Sequence, residues 1–138
     1  MILMCVNCFE LDYRKRRFGI YCKKCGGYLE EIDDNFVQAI SLLNRKGYIT
    51  SNCCSGHLSC KMIKCHSYIQ FEKDVILPYI PDGYEKTDGT KHYLNRYAIE
   101  INMEYNSRID LQKSLLLNAI KILDWADSLP IIKDKEKT

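Results

Sequence analysis

The chain has no long hydrophobic run. Near its start the longest is MILM, residues 1–4, far short of the core of an export signal or a membrane span. Net charge is small, +2 over 138 residues, so there is no general case for a nucleic-acid binder and electrostatic arguments fall to local clusters. No repeat or low-complexity segment appears. A glycine-rich cofactor loop and a pair of catalytic carboxylates are also missing, which weighs against an enzyme built on either. Hydrophobic residues make up 46%, typical of a folded soluble protein. This length suggests one compact core with a small appended unit. With no export signal the expected location is the cytoplasm, where eight cysteines favour metal or catalytic roles over disulfides. Abundant Ile, Lys, Asn and Tyr point to an AT-rich bacterial or phage genome.

What the chain does have is cysteine in pairs. Cys5 and Cys8 (CVNC) are followed, after thirteen residues, by Cys22 and Cys25 (CKKC), with Gly26 and Gly27 directly behind. A Cys-x-x-Cys knuckle points two thiolates at one ion, and tetrahedral zinc takes four. The glycines suit a tight turn in which amides approach sulfur; the first knuckle has none. About thirty residues bury too little apolar surface to fold alone, so Zn2+ is the expected source of stability. With four protein ligands the site is structural, not catalytic. The competing readings are small buried hydrophobes or a redox pair. Over residues 1–31 the pattern resembles the zinc-ribbon family. Between the knuckles, FELDYRKRRFGIY reads as two short strands with a turn near residues 17–19. There Arg14, Lys15, Arg16 and Arg17, beside Tyr13, form a candidate phosphate contact for nucleic acid. The favoured reading is a solvated hairpin turn, its field diluted by Glu10 and Asp12.

A helix is expected to start at Asp33 or Asp34, either of which caps it. It carries Phe36, Val37, Ile40 and Leu43 inward, with Leu42 beside them, and stops at Gly47. YITSN and SYIQF read as strands. In YAIEINMEY, Tyr97, Ile99, Ile101 and Met103 face one side. VILPYIPDGYEKTDGTKHY, with two prolines and two Asp-Gly pairs, reads as a turn-rich connection. The last helix, from Ser107 or Asp110 to Ser128, places Ile109, Leu115, Leu116, Ala119, Ile120, Ile122, Leu123 and Ala126 on one broad apolar face. The expected fold is α+β: a zinc-ribbon hairpin (1–31), an α-β-β-β-α core with both helices on one face of the sheet (32–130), and a charged tail (131–138).

SNCCSGHLSC, residues 51–60, admits three readings. Cys53, Cys54, His57, Cys60, Cys65 and His66 could supply a second metal site, although neighbouring strand residues point to opposite faces. Cys54 and His57 could form a thiolate–imidazolium couple. The preferred reading is a ligand turn. Gly56 takes a positive φ, amide N–H groups turn inward as a nest, Ser55 and His57 add donors, and Cys54 leaves room for a ligand.

YITSNCCSGH resembles the Thr-x-Ser-x-Cys-Ser-Gly-Arg stretch of the wybutosine-synthesising tRNA methyltransferases through Thr50, Cys54, Ser55 and Gly56. Asn52 replaces that family's serine and His57 its arginine. The resemblance implies an S-adenosylmethionine site. LNRKGY, CCSGH and WADSLP resemble stretches of small uncharacterised proteins of Firmicutes and their phages, over about residues 34–130. The expectation is therefore a small binding protein whose pocket at Cys54, Ser55, Gly56 and His57 takes a nucleotide-like or other phosphorylated ligand. Tyr48, Tyr68, Tyr93 and Tyr97 are candidates to stack its base, and sequestering a host nucleotide signal is a coherent phage role. The alternatives are a methyltransferase-like or hydrolytic enzyme using Cys54 and His57, and a zinc-ribbon nucleic-acid module.

Overall fold

The computed structural model describes residues 2–13, 21–57, 64–88 and 95–132. They form a mixed α+β fold of two helices and two antiparallel sheets. The first sheet holds β1 (Ile2–Cys5) between β2 (Leu11–Asp12) and β3 (Leu29–Ile32). The second has the order β4-β5-β7-β6, from Thr50–Cys54, Lys64–Glu72, Arg96–Glu104 and Glu85–Asp88. Helix α1 (Val37–Lys46) lies between the sheets in sequence, and α2 (Arg108–Ser128) closes the fold.

Alternation decides which face of the larger sheet is covered. Cys65, Ser67, Ile69 and Phe71 of β5 are buried, while His66 is exposed. Ile69 pairs with Ile99 and Phe71 with Tyr97 across the central ladder, and the last two rings stack at 5.6 Å. Phe36, Ile40 and Leu43 on the α1 side and Ile122, Trp125 and Ala126 on α2 complete this core. Among the described residues no helix is long and apolar enough to cross a membrane.

The sheet has four strands, not the expected three. Glu85–Asp88 pairs with β7 from the edge, Lys86 opposite Ile99 and Thr87 opposite Ala98. This strand lay hidden in the turn-rich connection because an edge strand needs no apolar residue, and charge there guards against strand addition. Lys86 still finds an aromatic face, its Nζ 4.6 Å from the centre of the Tyr97 ring.

The start of α1 differs from expectation, and that of α2 meets it. At α1 neither Asp33 nor Asp34 is the cap; Phe36 holds that position without a side-chain bond. At α2 the cap is Ser107, whose hydroxyl accepts from the Asp110 amide at 3.1 Å, while the Asp110 carboxylate accepts from the Asn106 amide. The apolar face of α2 is narrower than its sequence suggests. Leu111, Leu115, Ile122, Trp125 and Ala126 are buried, but Ile109, Leu116 and Ile120 are exposed. Hydrophobic residues occupy more of this helix than one sheet can cover.

The two stretches LNRKGY and WADSLP meet. Lys46, 8% exposed, donates from Nζ to the carbonyls of Ala126 (2.9 Å), Asp127 (2.7 Å) and Leu129 (2.7 Å). An ammonium thus serves the carbonyls that the last turn of α2 leaves without helical partners. Tyr48 Oη donates to the Pro130 carbonyl at 2.7 Å, and Asn44 ties the end of α1 to Thr50 at the start of β4.

Candidate functional site

The four sulfurs of Cys5, Cys8, Cys22 and Cys25 all lie within 4.8 Å of one another. The Cys5–Cys25 and Cys8–Cys22 separations are 3.4 Å and 3.7 Å, far too long for a disulfide at about 2.05 Å. A tetrahedron with metal–sulfur bonds of about 2.3 Å has edges of about 3.8 Å. The cluster is therefore positioned to hold one metal ion.

The two knuckles are built alike. Phe9 N–H donates to the Cys5 carbonyl and Cys5 N–H to that of Glu10; Gly26 N–H donates to Cys22 and Cys22 N–H to Gly27. Amides of Asn7 and Cys8 point at Cys5 Sγ, and that of Gly27 at Cys25 Sγ, each at 3.4 Å. Gly26 takes a left-handed φ of 78°, and in the first knuckle Phe9 takes the same conformation at 63°. A side chain there costs about 1–2 kcal/mol. Phe9 recovers it by burial: its ring joins the main core, and its carbonyl accepts from Ser41 Oγ of α1 at 2.9 Å. At Gly27 the constraint is space, since a Cβ would stand 2.8 Å from Cys5 Sγ. The Gly27 amide holds the Cys25 thiol down to about 6, and burial pushes Cys8 up to about 12. Metal binding must then displace protons.

The CCSGH turn is strained and tightly seated. Gly56 has φ 101°, and a Cβ on it would lie 2.8 Å from both Cys65 Sγ and Leu115 Cδ2. The Ser55 donors, however, are taken. Asp33 Oδ2 accepts from the Ser55 amide at 3.0 Å, and both Asp33 oxygens lie 2.8 Å from Ser55 Oγ. Asn35 donates its side-chain amide to Ser55 Oγ at 3.3 Å. The anion held by this turn is the protein's own carboxylate. Asp33 is the residue sequence reasoning misassigned: its place before a helix signalled a cap, and its partner lies 22 residues away.

Two clefts adjoin the turn and share Asp33 and His57. One, of about 430 Å³, lies against α2, with Asp34, Asn35, Gln112 and Leu116 in its walls. The other, of about 300 Å³, runs between β3 and β4 and includes Glu30, Glu31, Cys54 and Tyr68. Neither has a lysine or arginine among its described lining residues. Cys54 Sγ and His57 Nε2 are 3.3 Å apart and solvent-accessible.

The remaining candidates disperse. Cys65 is fully buried beneath the turn and accepts from the His57 amide at 3.4 Å. His66 faces outward, 3.1 Å from Glu100, and burial pushes the Cys53 thiol up to about 12. Among the described residues these do not gather into a metal site; Cys60 lies outside them. Of the tyrosines, Tyr68 lines the cleft between β3 and β4. Tyr48 and Tyr97 are buried, their hydroxyls donating to Pro130 and Val75, and Tyr93 lies outside the described residues. So do Arg14, Lys15, Arg16, Arg17 and the turn expected after them. No family model, curated protein or solved structure matches this chain.

Proposed function

We propose that this chain is a small binding protein with zinc in the four-cysteine unit and its ligand in the clefts at the Cys54–His57 turn. Four thiolates with amides directed at sulfur suit zinc. The clefts have the size of small-molecule sites. The observation that carries the ligand reading is the capture of the Ser55 donors by Asp33, in clefts whose charged walls are carboxylates. Such walls favour a ligand that donates hydrogen bonds, and they oppose a phosphate, which would meet like charge. A nucleotide-like ligand fits by its amino-bearing base. Asp34, Asn35 and Gln112 accept from the base, and Leu115 and Leu116 cover its ring.

Isothermal titration with adenosine, cytidine and their 5′-monophosphates tests this. The nucleosides are expected to bind at least as tightly as the monophosphates and to weaken several-fold in Asp34→Asn. Monophosphates that bind more than about tenfold tighter, a difference of about 1.4 kcal/mol, would overturn it.

A further inference from the structure

Cys54 and His57 have a relationship that ligand binding does not require. They flank a two-residue turn with no slack. Ser55 is fully buried and locked to Asp33, and Gly56 is wedged against Cys65 and Leu115. The 3.3 Å approach of Cys54 Sγ to His57 Nε2 thus spans a backbone turn that the fold holds in place. Outside the metal cluster the structure describes three cysteines, and they differ in surroundings. Cys65 is fully buried. Cys53 is half-buried and borders the same cleft as Cys54, but it packs towards the main core with no imidazole beside it, and burial pushes its thiol up to about 12. Cys54 opens into the cleft between β3 and β4, with an imidazole at hydrogen-bond distance.

We propose that Cys54 is a nucleophile and His57 its base, acting on an activated ester or thioester that carries an amino or cationic group. Glu30, Glu31 and Asp33 in the same cleft select that charge. The Cys54 thiol proton passes to His57 Nε2, so the reacting tautomer carries its own proton on Nδ1. Sulfur attacks the acyl carbon, the S–C bond forms, the C–O or C–S bond of the leaving group breaks, and the leaving group departs with the proton from Nε2. Water, deprotonated by Nε2, then attacks the acyl-Cys54 thioester and releases the acid and the restored thiol. The sum is ester or thioester plus water to acid plus alcohol or thiol, and no outside oxidant or reductant is needed. This chemistry rests on the turn being the ligand site.

The test uses the full zinc-loaded chain. Iodoacetamide, small and uncharged, reports on the couple without needing the ligand. Peptide mapping is expected to show Cys54 alkylated at least about tenfold faster than Cys53 or Cys65, and His57→Gln to slow Cys54 by about tenfold. p-Nitrophenyl acetate is expected to release a burst of about one equivalent of p-nitrophenolate, absent in Cys54→Ala. Zinc content and circular dichroism establish that both variants are folded. Alkylation of Cys54 at the same rate in wild type and His57→Gln overturns the couple, and a missing burst overturns the acyl chemistry. Nucleoside affinity of the wild-type protein is measured separately, so failure of the binding reading and failure of this chemistry are distinguishable.

Discussion

Two of the three buried clusters differ sharply in what fills them. Around the sulfurs the buried set is Leu3, Cys5, Cys22 and Leu29, half of it ligand. Beneath the helices the buried set runs from Phe36 and Tyr48 to Trp125 and Leu129 and is almost wholly apolar. Apolar burial contributes about 25 cal/mol per Å², so the second cluster sustains itself and the first cannot. The boundary between them is instructive. Met4 and Phe9 belong to the cysteine unit by sequence but to the large core by packing. The unit has at its centre a cysteine cluster positioned to hold a metal and is attached outside by hydrophobic contact, with the Asp33–Ser55 bonds beside that seam.

The largest effect comes from removing the metal. Chelation, or Cys22→Ser, withdraws a binding free energy of order 10 kcal/mol from the small unit. Hydrogen exchange is expected to show residues 2–12 and 21–32 losing protection while β5 and β7 keep theirs. Simultaneous loss in both regions would show them to be one cooperative unit. Next is Trp125→Ala, which empties part of the large core and removes the indole bond to the Tyr79 carbonyl. It should cost about 3–5 kcal/mol by chemical denaturation, with zinc stoichiometry unchanged. At the seam, Asp33→Asn should cost about 1–3 kcal/mol, since it leaves Ser55 donors poorly matched. Its signature is new mobility at Cys54–His57 by NMR relaxation with both cores intact.

The smallest effect, absent at neutral pH, is alkaline. Burial and the nearby Asp74 charge push the Tyr97 hydroxyl up to about 12 from an ordinary 10.0. Its folded value being raised, its contribution is fully present below pH 10.0 and is lost as pH rises through about 12. Tyr97→Phe should flatten that decline in a pH series of melting temperatures. The cysteine unit should respond in the opposite direction, losing metal as acid reprotonates its thiolates.

These regions were also unequally legible in the sequence. Ligand spacing announces the cysteine cluster because coordination fixes residue type and offset together. The core faces of α1 and β7 are legible because periodicity reports burial. The sign of φ at Gly56 was legible too, but not what its turn holds, because Asp33 reaches Ser55 across 22 positions. β6 left no mark because its residues are polar. The exposed Leu116 and Ile120 gave too strong a mark, since hydrophobicity alone does not say which residues a neighbour covers. Phe9 was invisible as a left-handed residue because nothing in its type requires that conformation.

Lys46 sets a condition on the order of events in folding. Its three carbonyl partners stand 80, 81 and 83 residues later in the chain. On a ribosome, α1, β4 and the sheet all emerge while that ammonium has no native acceptor. The site that will bury it must stay open to water until the end of α2 arrives, because an unpaired buried charge is costly. A contact that can form only at the end of synthesis is therefore made by the last residue of the first helix. A chain cut short before Ala126 keeps every strand described here yet leaves a cation where the core should close.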